Sequence, residues 1–577
     1  MASIIQKKNR EGKNYIYLKE SYRVGDKVKS RILKSYGQLE LLEQNEPGIL
    51  ERLKSEAKAG LLNGEATNTL ELALNLDTRI SYDEKQYGWK ILSEIYDMLK
   101  IRSITAKAKT RMKCDLDKIL RLLVFQRILN PRSKLQTFES QKNLWGNWDV
   151  KEHDIYRSLD VFETIKEDIQ LKMHQSIKEH IGRVATLVFY DVTNYYFEID
   201  MNDEDVEIPV AQDDDESIEI KKGLRKRGPS KERQPKPIVQ MGLFMDTNGI
   251  PISYQLFSGN QTDPVTYLPA IEQVKKQFGI ERIVVVADKA MNSKKNVKAT
   301  NENGDGWLFS QKHRGKRGAS KAVQEFLLDE NGWEYNEKLT FAKKSMIHER
   351  TLEKGNIVKE KIVATWSEKY ARREQIRRDG AVRYAEGLTN AEKFRASCKR
   401  GGKKYIEMSV IDKETGELKK LTPFLGIDEE AIAFDAQFDG MNVLVTSEID
   451  MDDDEVITHY HELSRIEDCF RITKTEFDAR PVFVSLENHI QSHFLTCFIA
   501  LVILRILQYK TNRQLSSARL ITALQSAKAN ELVKGYQRVQ ANEDLQLLNE
   551  MIGIEWNKAY VKSEELEKYA KHWCTTK

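Results

Sequence analysis

The chain has 577 residues, 40% hydrophobic and 31% charged: too long for one simple core at roughly 100–200 residues per domain, and too apolar to be disordered. Its 92 Lys and Arg against 88 Asp and Glu leave a net charge of +4, so partners have to be read from where charge is placed, not from its total. Five scattered cysteines (Cys114, Cys398, Cys469, Cys497, Cys574), never spaced Cys-x-x-Cys, exclude a disulfide framework and a cysteine zinc site and fit a reducing cytoplasm.

The opening MASIIQKKNREGKNY has no apolar signal-peptide core, which predicts a soluble intracellular protein. NYIYLKESYRV and KSRILKSYG alternate apolar and polar residues around VGDK and predict a small hairpin. From about 45 to 180 the period becomes helical. In DLDKILRLLVFQRIL, Asp115 is an N-cap candidate, Leu116, Ile119, Leu120 and Leu123 form an apolar stripe, and Asn130-Pro131 ends the helix. Near 183 the texture turns to strands. VATLVFYD is followed by the hairpin IVQMGLFMD–IPISYQLF, a helix over 264–278, the unbroken run IVVVAD, and WLFSQK. Residues 331–440 form a separate β-rich basic block, with 18 Lys/Arg against 8 Asp/Glu between Lys343 and Lys404. MNVLVTSE then restores a buried strand, followed by a helix from about Asp454 to Thr475, a long apolar helix over 490–509, and a polar helical tail. The run Phe494 to Leu507 is short for a membrane span and contains Arg505, so it reads as a core helix.

Asp200 to Glu219 holds ten acids and no Lys or Arg, whereas Lys221 to Lys236 holds eight bases and one acid. Side by side they suit a loop folded back on itself, or a surface insertion without a role. Asp191 closes VATLVFY and Asp288 closes IVVVA. Open α/β sheets place ligands at such strand ends. One acid there also suits a loop or cap; two suit a shared site if their strands are neighbours. In HYHELSRIEDCFRITK, Tyr460, Glu467 and Lys474 recur every seven residues on one helical face, with Leu463 and Arg471 at four-residue offsets. A half-exposed helix with ordinary ion pairs has the same spacing. Three carboxylates without histidine or cysteine suit a hard divalent ion such as Mg²⁺, and two ions about 3.5–4 Å apart can serve an in-line phosphoryl displacement. A nucleic-acid substrate fits that chemistry, and the basic block gives it an electrostatic surface.

RILNPRSKLQTFE from Arg127, LVFYDVTNYYFE around Asp191, VQMGLFMDTNGIPISYQLFSGNQTDPVT, VVVADKAMNS around Asp288, FDGMNVLVTSE and YHELSRIEDCFRITKTEFDARPVFV around Glu467, in this order, resemble bacterial insertion-sequence transposases of the Asp-Asp-Glu class, in the superfamily with the Tyr-(2)-Arg-(3)-Glu-(6)-Lys signature. The resemblance covers nearly the whole chain. It implies an α/β fold: a ribonuclease-H-like mixed sheet with helices on both faces, a β-rich insertion domain, and a mostly helical N-terminal region. The boundaries expected are 1–90 and 91–180 (hairpin and helices, probable end binding), 181–330 and 441–510 (catalytic core), 331–440 (insertion) and 511–577 (helical tail).

The resemblance further implies Asp191, Asp288 and Glu467 as the catalytic, metal-binding triad for two Mg²⁺ ions, with Mn²⁺ a substitute, and Tyr460 and Lys474 as contacts to the phosphates of the transposon ends. The signature arginine falls at Leu463, so Arg465 or Arg471 is the candidate replacement. The aromatic of the family's element at the second Asp is also absent from Asp288-Lys289-Ala290-Met291. Arg372, Arg373, Arg377 and Arg378 suit phosphate tracking or a solvated face. Trp307 and Trp366 are candidates to stack on a flipped base, although a packed tryptophan is commoner. The implied reaction is hydrolysis at each transposon end, then transesterification through a hairpin, with double-stranded DNA as partner and a homodimer assembled on it. A ribonuclease-H-like nuclease without strand transfer and a non-catalytic DNA-binding relic are the alternatives.

Overall fold

The structure, a computed structural model, describes residues 2–9, 12–24, 27–58, 84–212, 215–231, 235–315, 320–353, 355–387, 406–410, 423–533, 535–556 and 558–574. The chain divides into Met1–Tyr82 and Asp83–Lys577. In the first unit, β1 (Ala2–Lys8), β2 (Asn14–Val24) and β3 (Lys27–Gln38) form an antiparallel meander, one strand more than the predicted hairpin. The helix Ile49–Lys58 turns Ile49, Leu53 and Ala57 inward at four-residue steps, and Ile49 and Leu53 pack on Ile16 of β2.

In the second unit, helices fill residues 89–181. Asp115 accepts from the Lys118 N–H at the start of the helix Leu116–Leu129, as its sequence predicts. The unit's centre is a mixed sheet of nine described strands: β5 (Leu187–Tyr196), β8 (Ile238–Met245), β9 (Pro251–Ser258), β10 (Val284–Ala287), β11 (Gly306–Ser310), β12 (Glu334–Tyr335), β13 (Phe341–Glu353), β14 (Asn356–Ser367) and β17 (Met441–Thr446). Their order is β12-β13-β14-β17-β11-β10-β5-β8-β9. β10 runs parallel to β5 and β11; β8 and β9 are antiparallel neighbours beyond β5. The five strands β9-β8-β5-β10-β11 thus have the ribonuclease-H-like order, with a hairpin on one side of the first strand and parallel crossovers on the other.

Side chains alternate across this sheet with the period of two that a strand imposes. Phe189, Leu243, Val286, Leu308 and Leu444 enter a large core shared with the helices Leu116–Leu129 and Glu487–Lys510. Val188, Tyr190, Phe244, Val285, Trp307 and Val445 enter a second core with the helix Asp263–Phe278. The helix Glu487–Lys510 is long and apolar enough to cross a membrane, but here it is core, buried almost throughout from Ile490 to Gln508.

Two expectations are modified. Residues 331–440 are β-rich and lie between β11 and β17 in the chain, but they are not separate from the central sheet: β13 and β14 extend it through β17, with Ala342, Ile362, Val363 and Ala364 fully buried. The predicted strand KYIEMSVID is described only as β15 (Ile406–Val410), paired with β16 (Pro423–Ile427). Residues 388–404 of the basic block lie outside the described residues. The tail is not wholly helical. β18 (Lys528–Val533), β19 (Tyr536–Gln540) and β20 (Tyr560–Lys562) pair in a sheet that β4 (Lys85–Gln86) completes, so residues 511–577 close back on the start of this unit. The acidic and basic segments do fold back. β6 (Val206–Gln212) pairs with β7 (Asp215–Lys221), and Arg225 binds Asp203 at 2.6 Å and Lys226 binds Asp205 at 2.7 Å.

Candidate active site

Asp191 lies within β5, on the face that Phe189 shows to the large core. Its backbone is opposite Leu243 of β8, and the Val192 N–H donates to its Oδ1 at 2.8 Å. The neighbouring strand β10 pairs Val284 with Leu187 and Val286 with Phe189. Two residues further on each strand bring Asp288 level with Asp191, one strand away. β10 has ended there: the Met291 N–H turns back to the Asp288 carbonyl at 3.0 Å. Both residues are half-buried at this rim. Burial pushes the Asp191 carboxyl up to about 6. Lys231 and the Val192 N–H oppose that rise, and Asp263 and Asp288 add to it.

The third acid comes from above. The predicted helix over 454–475 is present as Asp453–Glu462 and Ser464–Arg471, joined at Leu463 and followed by a π-helical turn over Ile472–Glu476. Ile466, Cys469 and Phe470 hold it to the large core, and Glu467 is left exposed on the other side. Tyr460 links the two groups: its hydroxyl donates to Asp288 Oδ1 at 3.4 Å. Burial pushes that hydroxyl up to about 12, Ser310 lowers it, and the charges of Asp288 and Glu467 add to the rise. The three predicted acids therefore share one neighbourhood. Yet among the described residues no three His, Cys, Asp or Glu side chains close on a single point. The three acids form an open group rather than a closed cluster. Its donors are all carboxylate oxygens, the set a hard divalent ion takes.

Two charged residues at this rim escaped the sequence analysis. Asp263, at the start of the helix Asp263–Phe278, raises the Asp191 carboxyl ahead of Asp288. Lys231 donates from Nζ to the Val192 carbonyl. Asp263-Pro264 signals only a helix start, and Lys231 is one base among eight, so neither carried a signal of its own.

Lys474 lies in the π-helical turn, 5.5 Å from the Tyr195 ring. That ring's hydroxyl is bonded to Thr473 Oγ1 at 2.6 Å. Lys474 therefore flanks β5 four residues beyond Asp191. Neither candidate for the missing arginine faces the acids. Arg465 pairs with Glu462 at 2.9 Å and donates to the Thr247 carbonyl in the β8–β9 turn at 3.0 Å; Arg471 is exposed and bound by Asp468 and Glu476. Leu463 itself is buried in the large core. In the helix Glu368–Glu386, Arg372, Arg373 and Arg377 are exposed, whereas Arg378 is tied to Asp439. Trp307 is fully buried, which removes it as a stacking platform; Trp366 is half-buried beside Tyr335.

The family model for the transposase DDE domain matches residues 214–503, which hold Asp288 and Glu467 and begin after Asp191. The model for the N-terminal domain of the IS1634 family transposases matches residues 3–66. No curated protein matches the chain. Among solved structures, the Mos1 transposase paired-end complex with left transposon end is similar over 34% of this chain and 60% of that one, at 8% identity and a TM-score of 0.14.

Proposed function

From the premise that the chain belongs to the insertion-sequence DDE transposases, we propose that it cuts and rejoins DNA at the ends of its own element, with Asp191, Asp288 and Glu467 as ligands for a pair of Mg²⁺ ions. The observation that carries this reading is the level placement of Asp191 and Asp288 on adjacent parallel strands, with the helix of Glu467 over the same rim. When bound, such ions supply Lewis acidity to the phosphoryl oxygens and orient the attacking and leaving groups. The chain's own residues do the rest. Tyr460, hydrogen-bonded to Asp288, orients that carboxylate and carries a hydroxyl to the phosphate. Lys474, stacked on Tyr195, offers a point charge to the next phosphate along the strand. The exposed arginines of the helix Glu368–Glu386 take the flanking duplex, and two copies meet on paired ends. Cleavage passes through a hairpin on the transposon end before joining.

The test is incubation of the purified chain with its flanking inverted repeats and Mg²⁺, products being resolved on a denaturing gel. Expected are nicked ends, hairpins and joined products. Asp191→Asn, Asp288→Asn and Glu467→Gln should each lower all three by about a hundredfold or more while leaving DNA binding intact. Cut ends without hairpins or joined products would reduce the reading to a nuclease.

A further inference from the structure

We propose that Lys231 is a tethered counter-ion for the catalytic carboxylates, occupying their neighbourhood until a divalent cation displaces it. The inference rests on the reading of Asp191 as a metal ligand and adds to it a residue that competes for the same ground.

Four carboxylates share the rim: Asp191 sits in the field of Asp263 and Asp288, and Tyr460 in that of Asp288 and Glu467. Such a cluster resists assembly unless a cation offsets it. Lys231 Nζ donates to the carbonyl of Val192, next to Asp191 in β5, which sets its ammonium beside the acids.

The arm that delivers it is built in. Lys226 and Ile238 exchange backbone hydrogen bonds at 3.1 and 2.9 Å. Gly228 passes so close to Gly259 that a Cβ there would lie 2.0 Å from the Gly259 carbonyl oxygen. Asn194 Nδ2 donates to the Pro229 carbonyl at 3.4 Å. Residues 226–230 are thereby fastened along β8 and β5, and Lys231 leaves the last fixed point towards the acids. Other bases of the same segment are bound elsewhere: Lys221 to Glu487, Arg225 to Asp203, Lys226 to Asp205 and Lys236 to Glu198.

An ammonium is a compact, strongly hydrated point charge on a flexible stem, able to stand near a carboxylate and to leave for solvent. An interaction made only in the cation-free state must weaken cation binding by the same factor by which it stabilises that state. Lys231 therefore keeps the clustered acids compatible with the folded chain and sets the divalent-ion concentration at which the site fills.

The test is calorimetric titration of MnCl2 into the full chain without DNA, with melting temperatures taken with and without Mn²⁺. Lys231→Gln should bind Mn²⁺ about threefold tighter or more and melt lower than the wild type without the ion, the deficit vanishing at saturation. Lys231→Arg, which keeps the charge, should stay nearer the wild type on both measures. Equal or weaker Mn²⁺ binding by Lys231→Gln, with the wild type binding normally, would overturn the proposal and leave the active-site reading intact. Asp191→Asn binding Mn²⁺ like the wild type would overturn the site reading, and this inference with it.

Discussion

Lys134, the first residue of the helix Lys134–Ser140, is 6% exposed and lies in the field of Arg127. Burial first, then Arg127, brings its ammonium down from 10.5 to about 7, with Cys497 opposing. The unfolded chain keeps that proton up to about 10.5 and the folded chain gives it up from about 7, so unfolding takes up a proton between those values and stability rises with pH across that window. Lys134→Met should abolish the rise and stabilise the protein by about 1–3 kcal/mol below pH 7, as read from melting curves across the window. At this scale the sequence discloses residues whose chemistry is written in their local pattern. Asp288 follows a buried strand, Asp191 ends an apolar run although its strand continues to Tyr196, and Asp115 precedes an apolar stripe. It does not disclose Asp263 or Lys231, which reach the acids only through a helix and a pinned loop folded in from dozens of positions away. Nor does it disclose that Leu463 is core and Arg465 grips a turn, for a helical face tells what shares a side but not what that side meets.

Helices and strands have their own consequences. Arg505, 6% exposed, donates to the Gly249 carbonyl, Asp468 Oδ2 and Gln508 Oε1, each at 2.9 Å, and to the Arg465 carbonyl at 3.2 Å. It thereby fastens the Glu467 helix to the β8–β9 turn. Arg505→Met removes these four hydrogen bonds from a buried site and should lower stability by about 2–4 kcal/mol, measured by urea unfolding. The arginines of the helix Glu368–Glu386 separate by environment. Changing Arg372, Arg373 and Arg377 together to Glu should weaken binding to every DNA sequence and flatten the log–log salt dependence by roughly three units. Arg378→Ala instead leaves the half-buried Asp439 to Arg314, 3.6 Å away, and should show mainly in the melting temperature. Strand positions were legible because β5, β8, β9, β10, β11 and β17 are continuous or alternating apolar runs. The partners of β13 and β14 were not, since their outward residues are charged and look like those of a free-standing basic domain, while the few inward ones join the central sheet.

For the whole molecule, Asp83–Lys577 holds both large cores and the acids, Tyr460 and Lys231 of the proposed site. That unit alone should therefore fold with a melting temperature within a few degrees of the full chain's and retain Mn²⁺ binding, while losing selectivity for its own inverted repeats; circular dichroism and competition binding would show both. The sequence order of strand, hairpin, helix, strand and strand disclosed the ribonuclease-H-like centre. The closure of 511–577 onto β4 was hidden, because a two-residue strand at Lys85–Gln86 is too short to leave a periodic trace. The account turns on whether three carboxylates that stand open around Tyr460 draw together on a cation. Anomalous diffraction from Mn²⁺ in crystals of the chain with its transposon end decides this directly. Expected are one or two Mn²⁺ peaks, each within bonding distance of at least one of Asp191, Asp288 and Glu467, with all three acids engaged. Peaks bound by other residues, with Glu467 still turned to solvent, would contradict it.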